Sequence, residues 1–133
     1  MSAGADRGPL EILAVDDAWL NLELISILLE PLEARITTVS DGLEAVNAAE
    51  RTTFDLILMD LQMPVMDGLQ ATRAIRANLQ LNRATPILAV SANVLPQHVE
   101  ACLQAGMNDH IGKPISPSEL LSKIARWTEP NDL

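Results

Sequence analysis

The sequence predicts an α/β domain in which a parallel sheet is covered on both faces by helices, a doubly wound arrangement. Three observations carry this. Short apolar or β-branched runs alternate with segments of helical period, and the alternation repeats five times in 133 residues. The run from Asp55 to Met59 is nearly all apolar, which suits a strand buried on both faces. No repeat, low-complexity segment or linker divides the chain, so these units belong to one domain.

The elements follow in order. Glu11 to Val15 is the first strand and ends in Asp16 and Asp17. Ala18 to Glu30 is a helix with Leu20, Leu24, Ile27 and Leu28 as its apolar face, ended by Pro31. Arg35 to Val39 is a β-branched strand, and Asp41-Gly42 opens a helix that turns Ala45, Val46 and Ala49 inward. Asp55 to Met59 is the third strand. After a loop containing Pro64, a helix runs from Asp67 to Asn78. Pro86 to Val90 is the fourth strand. The next helix has Pro96 near its first position, Gly106 just past its end, and Val99, Cys102 and Leu103 inside. Asp109 to Ile111 is the fifth strand. Ser116 to Thr128 is the last helix, with Leu120, Leu121, Ile124 and Trp127 on one side and Ser116 or Ser118 as its cap.

Composition narrows the class. A chain of this length with 48% apolar residues can bury a core and is not disordered. One cysteine, Cys102, excludes an internal disulfide and favours a reducing, cytoplasmic setting. No apolar run approaches the roughly 18 residues of a membrane span. Residues 1–9 lack the pattern of a signal peptide and read as a flexible tail, 10–128 as the domain, and 129–133 as a second tail. Met1 and the short tails favour a free-standing protein over a piece excised from a longer one. A formal net charge of −9 argues against nucleic acid and anionic membranes as partners.

In open parallel sheets, ligands bind beyond the carboxyl ends of the strands. Those ends carry Asp16 and Asp17, Asp60, Ser91 and Lys113-Pro114. If the first and third strands are neighbours, about 4.8 Å apart, the carboxylates crowd. Two like charges about 4 Å apart cost on the order of 4 kcal/mol at an effective dielectric near 20. A proton or a cation must relieve this. Oxygen-only ligands, few in number, suit Mg²⁺, which keeps several waters and shares a phosphate readily.

Together, Val15-Asp16-Asp17, the run from Leu58 to Gly68, Ser91-Ala92, and Gly106-Met107 through Lys113-Pro114 resemble the receiver domain of two-component response regulators over residues 10–127. The resemblance implies a flavodoxin-like (βα)5 fold with strand order 2-1-3-4-5, an order for which a receiver protein is a standard example. It implies that Asp60 is the phosphoacceptor, a nucleophile giving an aspartyl phosphate. Asp17, Asp60 and the backbone carbonyl of Gln62 would contact Mg²⁺, with Asp16 reaching it through a water. Lys113 would pair with Asp60, aimed by a cis Lys113-Pro114 bond, and Ser91 would reorient onto the phosphoryl group. Partners would be a sensor histidine kinase or histidine phosphotransfer protein, and a downstream protein target on the face formed by the fourth helix, fifth strand and fifth helix. Catalysis would extend only to self-phosphorylation and autodephosphorylation. The alternatives are a receiver-like module that is never phosphorylated and a phosphohydrolase, for which Gln62 supplies no acid or base.

The chain departs from that family in places. His110 stands where the family usually has the Tyr or Phe that turns inward with the switch Ser, and imidazole titrates near neutral pH. Ala18 stands where many relatives carry Asn, and Trp19 beside it reads as a packing residue. Gln62 and Asn93 occupy positions that tune phosphoryl lifetime. Asp41, Asp55 and Asp67 read as caps and turns, Cys102 and the internal methionines as core, and His98 as solvent-exposed.

Overall fold

A computed structural model describes residues 8–77, 81–93 and 95–128. Five strands, β1 (Glu11–Val15), β2 (Arg35–Val39), β3 (Leu56–Asp60), β4 (Ile87–Ser91) and β5 (Asp109–Gly112), form one sheet. The helices are α1 (Trp19–Leu28), α2 (Gly42–Arg51), α3 (Gly68–Ala77), α4 (Pro96–Ala105) and α5 (Pro117–Thr128). The strand order is β2-β1-β3-β4-β5 and every pairing is parallel, as expected. Asn78 lies outside the described residues, as do the predicted tails apart from Gly8 and Pro9. Among the described residues no helix is long and apolar enough to cross a membrane.

Strand alternation builds two cores from one sheet. Leu13, Val15, Ile57, Met59, Ile87 and Ala89 face α2, α3 and α4, meeting Ala45, Ala49, Ala71, Ile75 and Cys102. Ile12, Ala14, Leu56, Leu58, Leu88, Val90 and Ile111 face α1 and α5, meeting Ile25, Leu29, Leu120 and Ile124. Every residue of β3 is buried, which is why its run carries no polar alternation.

The helix faces differ from expectation in α1 and α4. Leu20, Leu24 and Ile27 are exposed; Leu28 faces the sheet as expected, joined by Leu22, Ile25 and Leu29. Apolar residues surround α1, so spacing alone could not select the buried stripe. Its regular hydrogen bonding stops at Leu28, and Pro31 falls inside a short 3₁₀ turn from Glu30 to Leu32. Trp19 is 69% exposed and does not serve as packing. In α4, Cys102 and Ala105 are buried while Leu103 is exposed. His98 is half-buried rather than exposed, its Nε2 enclosed without a hydrogen-bond partner among the described residues.

Caps and turns hold the loops that carry the strand-end residues. Asp41 accepts from the Glu44 amide at 2.8 Å and Asp67 from the Gln70 amide at 2.8 Å. Asp55 accepts from the Glu11 amide at 2.8 Å, tying the starts of β1 and β3. The Glu119 amide reaches Ser116 Oγ at 3.5 Å, so Ser116 is the α5 cap. Gly106 ends α4 with φ +112°, a conformation that favours glycine. Arg76 of α3 donates to the carbonyls of Gly106 (2.9 Å), Arg83 (2.9 Å) and Asn82 (3.3 Å) and to Asn108 Oδ1 (2.8 Å).

The loop after β3 is closed by two glycines. The Gly42 amide donates to the Met66 carbonyl and the Gly68 amide to the Leu61 carbonyl, each at 3.0 Å. A Cβ at Gly68 would overlap the Asp60 carbonyl oxygen, and one at Gly42 the Met66 carbonyl oxygen. Neither partner is the tip of a flexible side chain. Gly68→Ala is therefore expected to lower unfolding stability by roughly 2 kcal/mol, the usual range for overpacking. Urea denaturation checks this; a loss under about 0.5 kcal/mol, the scale of a neutral surface change, would show that α3 can shift to make room.

Candidate functional site

Parallel register gathers the strand ends. Val15 pairs with Met59, so Asp16, one residue past β1, lies beside Asp60, the last residue of β3. Ser91 pairs with Gly112, and the Lys113 amide donates to the Ser91 carbonyl at 3.1 Å. From there Lys113 Nζ reaches Asp60 Oδ1 at 3.1 Å and Asp16 Oδ2 at 3.4 Å. The Lys113–Pro114 peptide bond is cis. Asp16, Asp17 and Asp60 each offer a carboxylate oxygen, and these atoms lie within 4.8 Å of one another.

The three carboxylates have different surroundings. Asp16 is buried, with Oδ1 accepting from the Ala18 amide at 2.9 Å and Oδ2 from Asn21 Nδ2 at 3.0 Å. Asp60 is buried too, and accepts from Lys113 and from the Gln62 backbone amide. Asp17 is exposed and has no hydrogen-bond or ion-pair partner among the described residues. One ammonium thus serves two buried carboxylates while a third stands free.

Electrostatics follow from that imbalance. Burial, then repulsion from Asp16, pushes the Asp60 carboxyl above the ordinary 3.8, despite the opposing Lys113 ammonium and Gln62 amide. For Lys113, burial acts to lower the pKa, but hydrogen bonding and charge from Asp60 and Asp16 outweigh it and hold it above 10.5. The pair is therefore unequal: the ammonium is secure, whereas the carboxylate is short of positive charge.

The other predicted site residues are placed less closely. Gln62 contributes its backbone amide to Asp60, and its side chain is exposed. Ser91 ends β4, but its hydroxyl accepts from the Asn93 amide at 3.0 Å, and no hydrogen bond joins it to the carboxylates. His110 pairs with Ala89 along β5, two positions before Gly112, and lies among His98 of α4 and Glu119 and Lys123 of α5. Its Nε2 is buried without a hydrogen-bond partner among the described residues. Lys123 Nζ donates to the His110 carbonyl and to Asp109 Oδ1, and Trp127 Nε1 to Asp109 Oδ2 at 2.9 Å, which pins α5 to β5. Sequence reasoning missed Asn21. Its signal was an amide one helical turn beyond an acidic pair, on a helix whose N-cap, Ala18, has no side-chain cap bond.

Two outcomes follow from these charges. The raised Asp60 pKa means that ionising it on going above its ordinary 3.8 costs the metal-free fold stability. Asp60→Asn keeps an acceptor for Lys113 and removes the repulsion, so the melting temperature at neutral pH should rise by roughly 3–5 °C, the shift about 1 kcal/mol gives a domain of this size. A fall would mean that the Lys113 pairing outweighs burial and repulsion. His110 behaves oppositely. Burial first, then Lys123 and His98, lower its pKa below 6.5 against Glu119 and Asp109. A basic group depressed in the fold leaves stability intact above 6.5 and removes it as pH falls below. Urea midpoints from pH 7.5 to 5.5 should decline more steeply in wild type than in His110→Phe; parallel curves would remove His110 from the account.

Comparisons with known proteins agree with this geometry. The family model for the response regulator receiver domain matches residues 12–125. The sensor protein GacS of Pseudomonas syringae pv. syringae is 44% identical over 126 residues, 93% of this chain; the chain spans only 14% of GacS. The receiver domain of sensor histidine kinase PA1611 from Pseudomonas aeruginosa PAO1, solved with a magnesium ion in its active-site cleft, superposes with a TM-score of 0.85 at 46% identity, covering 92% of this chain and all (100%) of that one. The receiver domain of Saccharomyces cerevisiae Ssk1, solved in complex with the histidine phosphotransfer protein Ypd1, superposes with a TM-score of 0.82 at 27% identity, covering 90% of this chain and 89% of that one. With a match across nearly the whole sheet and an acidic cluster at the expected strand ends, this chain belongs to the response regulator receiver domain family of two-component systems.

Proposed function

We propose that Asp60 accepts a phosphoryl group from a protein phosphohistidine with Mg²⁺ bound at the acidic cluster, and that this changes which proteins the α4–β5–α5 face binds. The observation that supports it most is the cluster itself: three carboxylate oxygens within 4.8 Å, with a single ammonium at 3.1 Å from one of them. The donor set is all oxygen and undercharged, and the unpartnered Asp17 leaves lone pairs free, which fits a hard divalent cation. Asp17, Asp60 and the Gln62 backbone carbonyl would hold it, with Asp16 acting through water. When bound, the cation supplies positive charge to the phosphoryl oxygens.

The chain's own residues do the rest. An Asp60 oxygen forms the new O–P bond as the donor's P–N bond breaks, and the electron pair leaves with the imidazole. Lys113 and the Gln62 amide orient the carboxylate and limit its rotation. Lys113 then follows the charge onto the phosphoryl group, and Ser91 exchanges its bond with the Asn93 amide for a phosphoryl oxygen. His110, between α4 and α5, would follow Ser91 inward.

Beside the cluster, α1 exposes Trp19 (69%), Leu20 (64%), Leu24 (40%) and Ile27 (56%). Fully burying such a side chain contributes about 1.5–3 kcal/mol. This stripe is the surface on which a histidine kinase or phosphotransfer protein would dock, and the Ssk1–Ypd1 complex shows that a related receiver does bind a protein of that class.

Two assays test the proposal together. Acetyl phosphate with Mg²⁺ should give a phosphorylated species in wild type and none in Asp60→Ala, read by intact mass. Leu20→Asp should leave labelling by acetyl phosphate within about twofold while slowing transfer from a phosphorylated histidine phosphotransfer protein about tenfold, the effect of about 1.4 kcal/mol. No adduct from either donor would leave a receiver-fold binding module that is not phosphorylated.

A further inference from the structure

We infer that Asn21 is a positioning residue for the cation site, acting through Asp16; the inference rests on the reading of that site as a Mg²⁺ site. Asn21 is in the first turn of α1, half-buried, and its backbone amide is held by the Ala18 carbonyl at 2.9 Å. Its side-chain amide donates to Asp16 Oδ2 at 3.0 Å. Lys113 Nζ approaches the same oxygen at 3.4 Å, and the Ala18 amide occupies one lone pair of Oδ1 at 2.9 Å. A carboxylate oxygen has two acceptor positions. Oδ2 therefore carries the Asn21 hydrogen bond and faces the Lys113 ammonium, while Oδ1 keeps one position free. With one donor on each oxygen, the Asp16 carboxylate is held in one orientation toward the site.

The donor's neutrality matters as much as its place. Asp16 is 2% exposed, and a carboxylate buried to that extent needs hydrogen-bond partners. A second ammonium would satisfy it but would repel a divalent cation. Asn21 satisfies it with a dipole and adds no net charge. It also spares Lys113, which lies nearer Asp60 (3.1 Å) than Asp16 (3.4 Å). Without the Asn21 amide, Asp16 is freed to rotate and draws the ammonium toward itself, leaving Asp60 less well held. Partners that orient a metal ligand commonly govern affinity by about 10- to 100-fold.

The test is a Mg²⁺ titration followed by amide chemical shifts of residues 16–18 and 60–62, in wild type, Asn21→Ala and Asn21→Leu. Leucine keeps the size and removes the donor. Both variants should weaken Mg²⁺ binding about tenfold, and in an Asp16→Asn background Asn21→Ala should change it by less than about twofold, since the two act as a unit. A packing role would lower the melting temperature and leave Mg²⁺ affinity untouched. Affinities within twofold of wild type in both variants overturn the inference, as does a tenfold effect that persists in the Asp16→Asn background. A wild-type protein that binds no Mg²⁺ overturns the site reading and this inference together, and is told apart by being visible without any substitution.

Discussion

Three carboxylates held at one edge of a parallel sheet repel one another, and a single ammonium only partly relieves them. That unresolved repulsion organises the functional end of the molecule. Asp16 and Asp60 are buried by the strands that carry them, so solvent does little to screen their charges. Lys113 arrives from β5, across β4, and its reach makes the outer strand part of the same electrostatic unit as β1 and β3. A phosphoryl group added here, as proposed, would change the sum of charge at this edge, and the residues placed to answer it are attached to different strands.

The rest of the fold keeps those charges from moving apart. Strand alternation sends neighbouring residues of β1 and β3 into opposite cores, so a slip of one residue would send each set into the other core and mismatch the packing on both faces. Gly42 and Gly68 let two helix starts press onto the loop that follows Asp60. Within that loop Val65 has φ +69°, a left-handed conformation costly for a β-branched residue, and the Met66 amide donates to the Pro64 carbonyl at 2.7 Å. The turn is tight because the contacts on either side of it leave the chain little room.

Much of this was legible in the sequence because it depends on order and local chemistry. The five alternating units, the continuous burial of β3, the Pro96 and Gly106 boundaries of α4, and the caps at Asp41 and Asp67 all have short-range signatures. The acidic cluster was legible too, since parallel register forces strand ends together. What escaped was direction. In α1 leucines occur on every side, and the buried stripe of Leu22, Ile25 and Leu29 is selected by the sheet, not by spacing. His98 looked like a surface residue because nothing local showed that β5 would place another imidazole beside it. Asn21 escaped because a side-chain amide gives no hint of its partner until the helix axis is known.

Among the described residues Arg76 meets no carboxylate; its hydrogen-bond acceptors there are backbone carbonyls and the Asn108 side chain, which in turn accepts from the Ile87 amide at 2.8 Å. One guanidinium therefore welds the end of α3 to the Gly106 cap of α4 and to the entry of β5. The fourth helix is clamped at that end, and at its start the Leu95 amide donates to Asn93 Oδ1 (3.1 Å) while the Asn93 amide donates to Ser91 Oγ (3.0 Å), which links it to the end of β4. A tug delivered at the Ser91 end would swing α4 about its anchored tail like a door on a single hinge, and the displacement of the outer surface would grow with distance from the guanidinium.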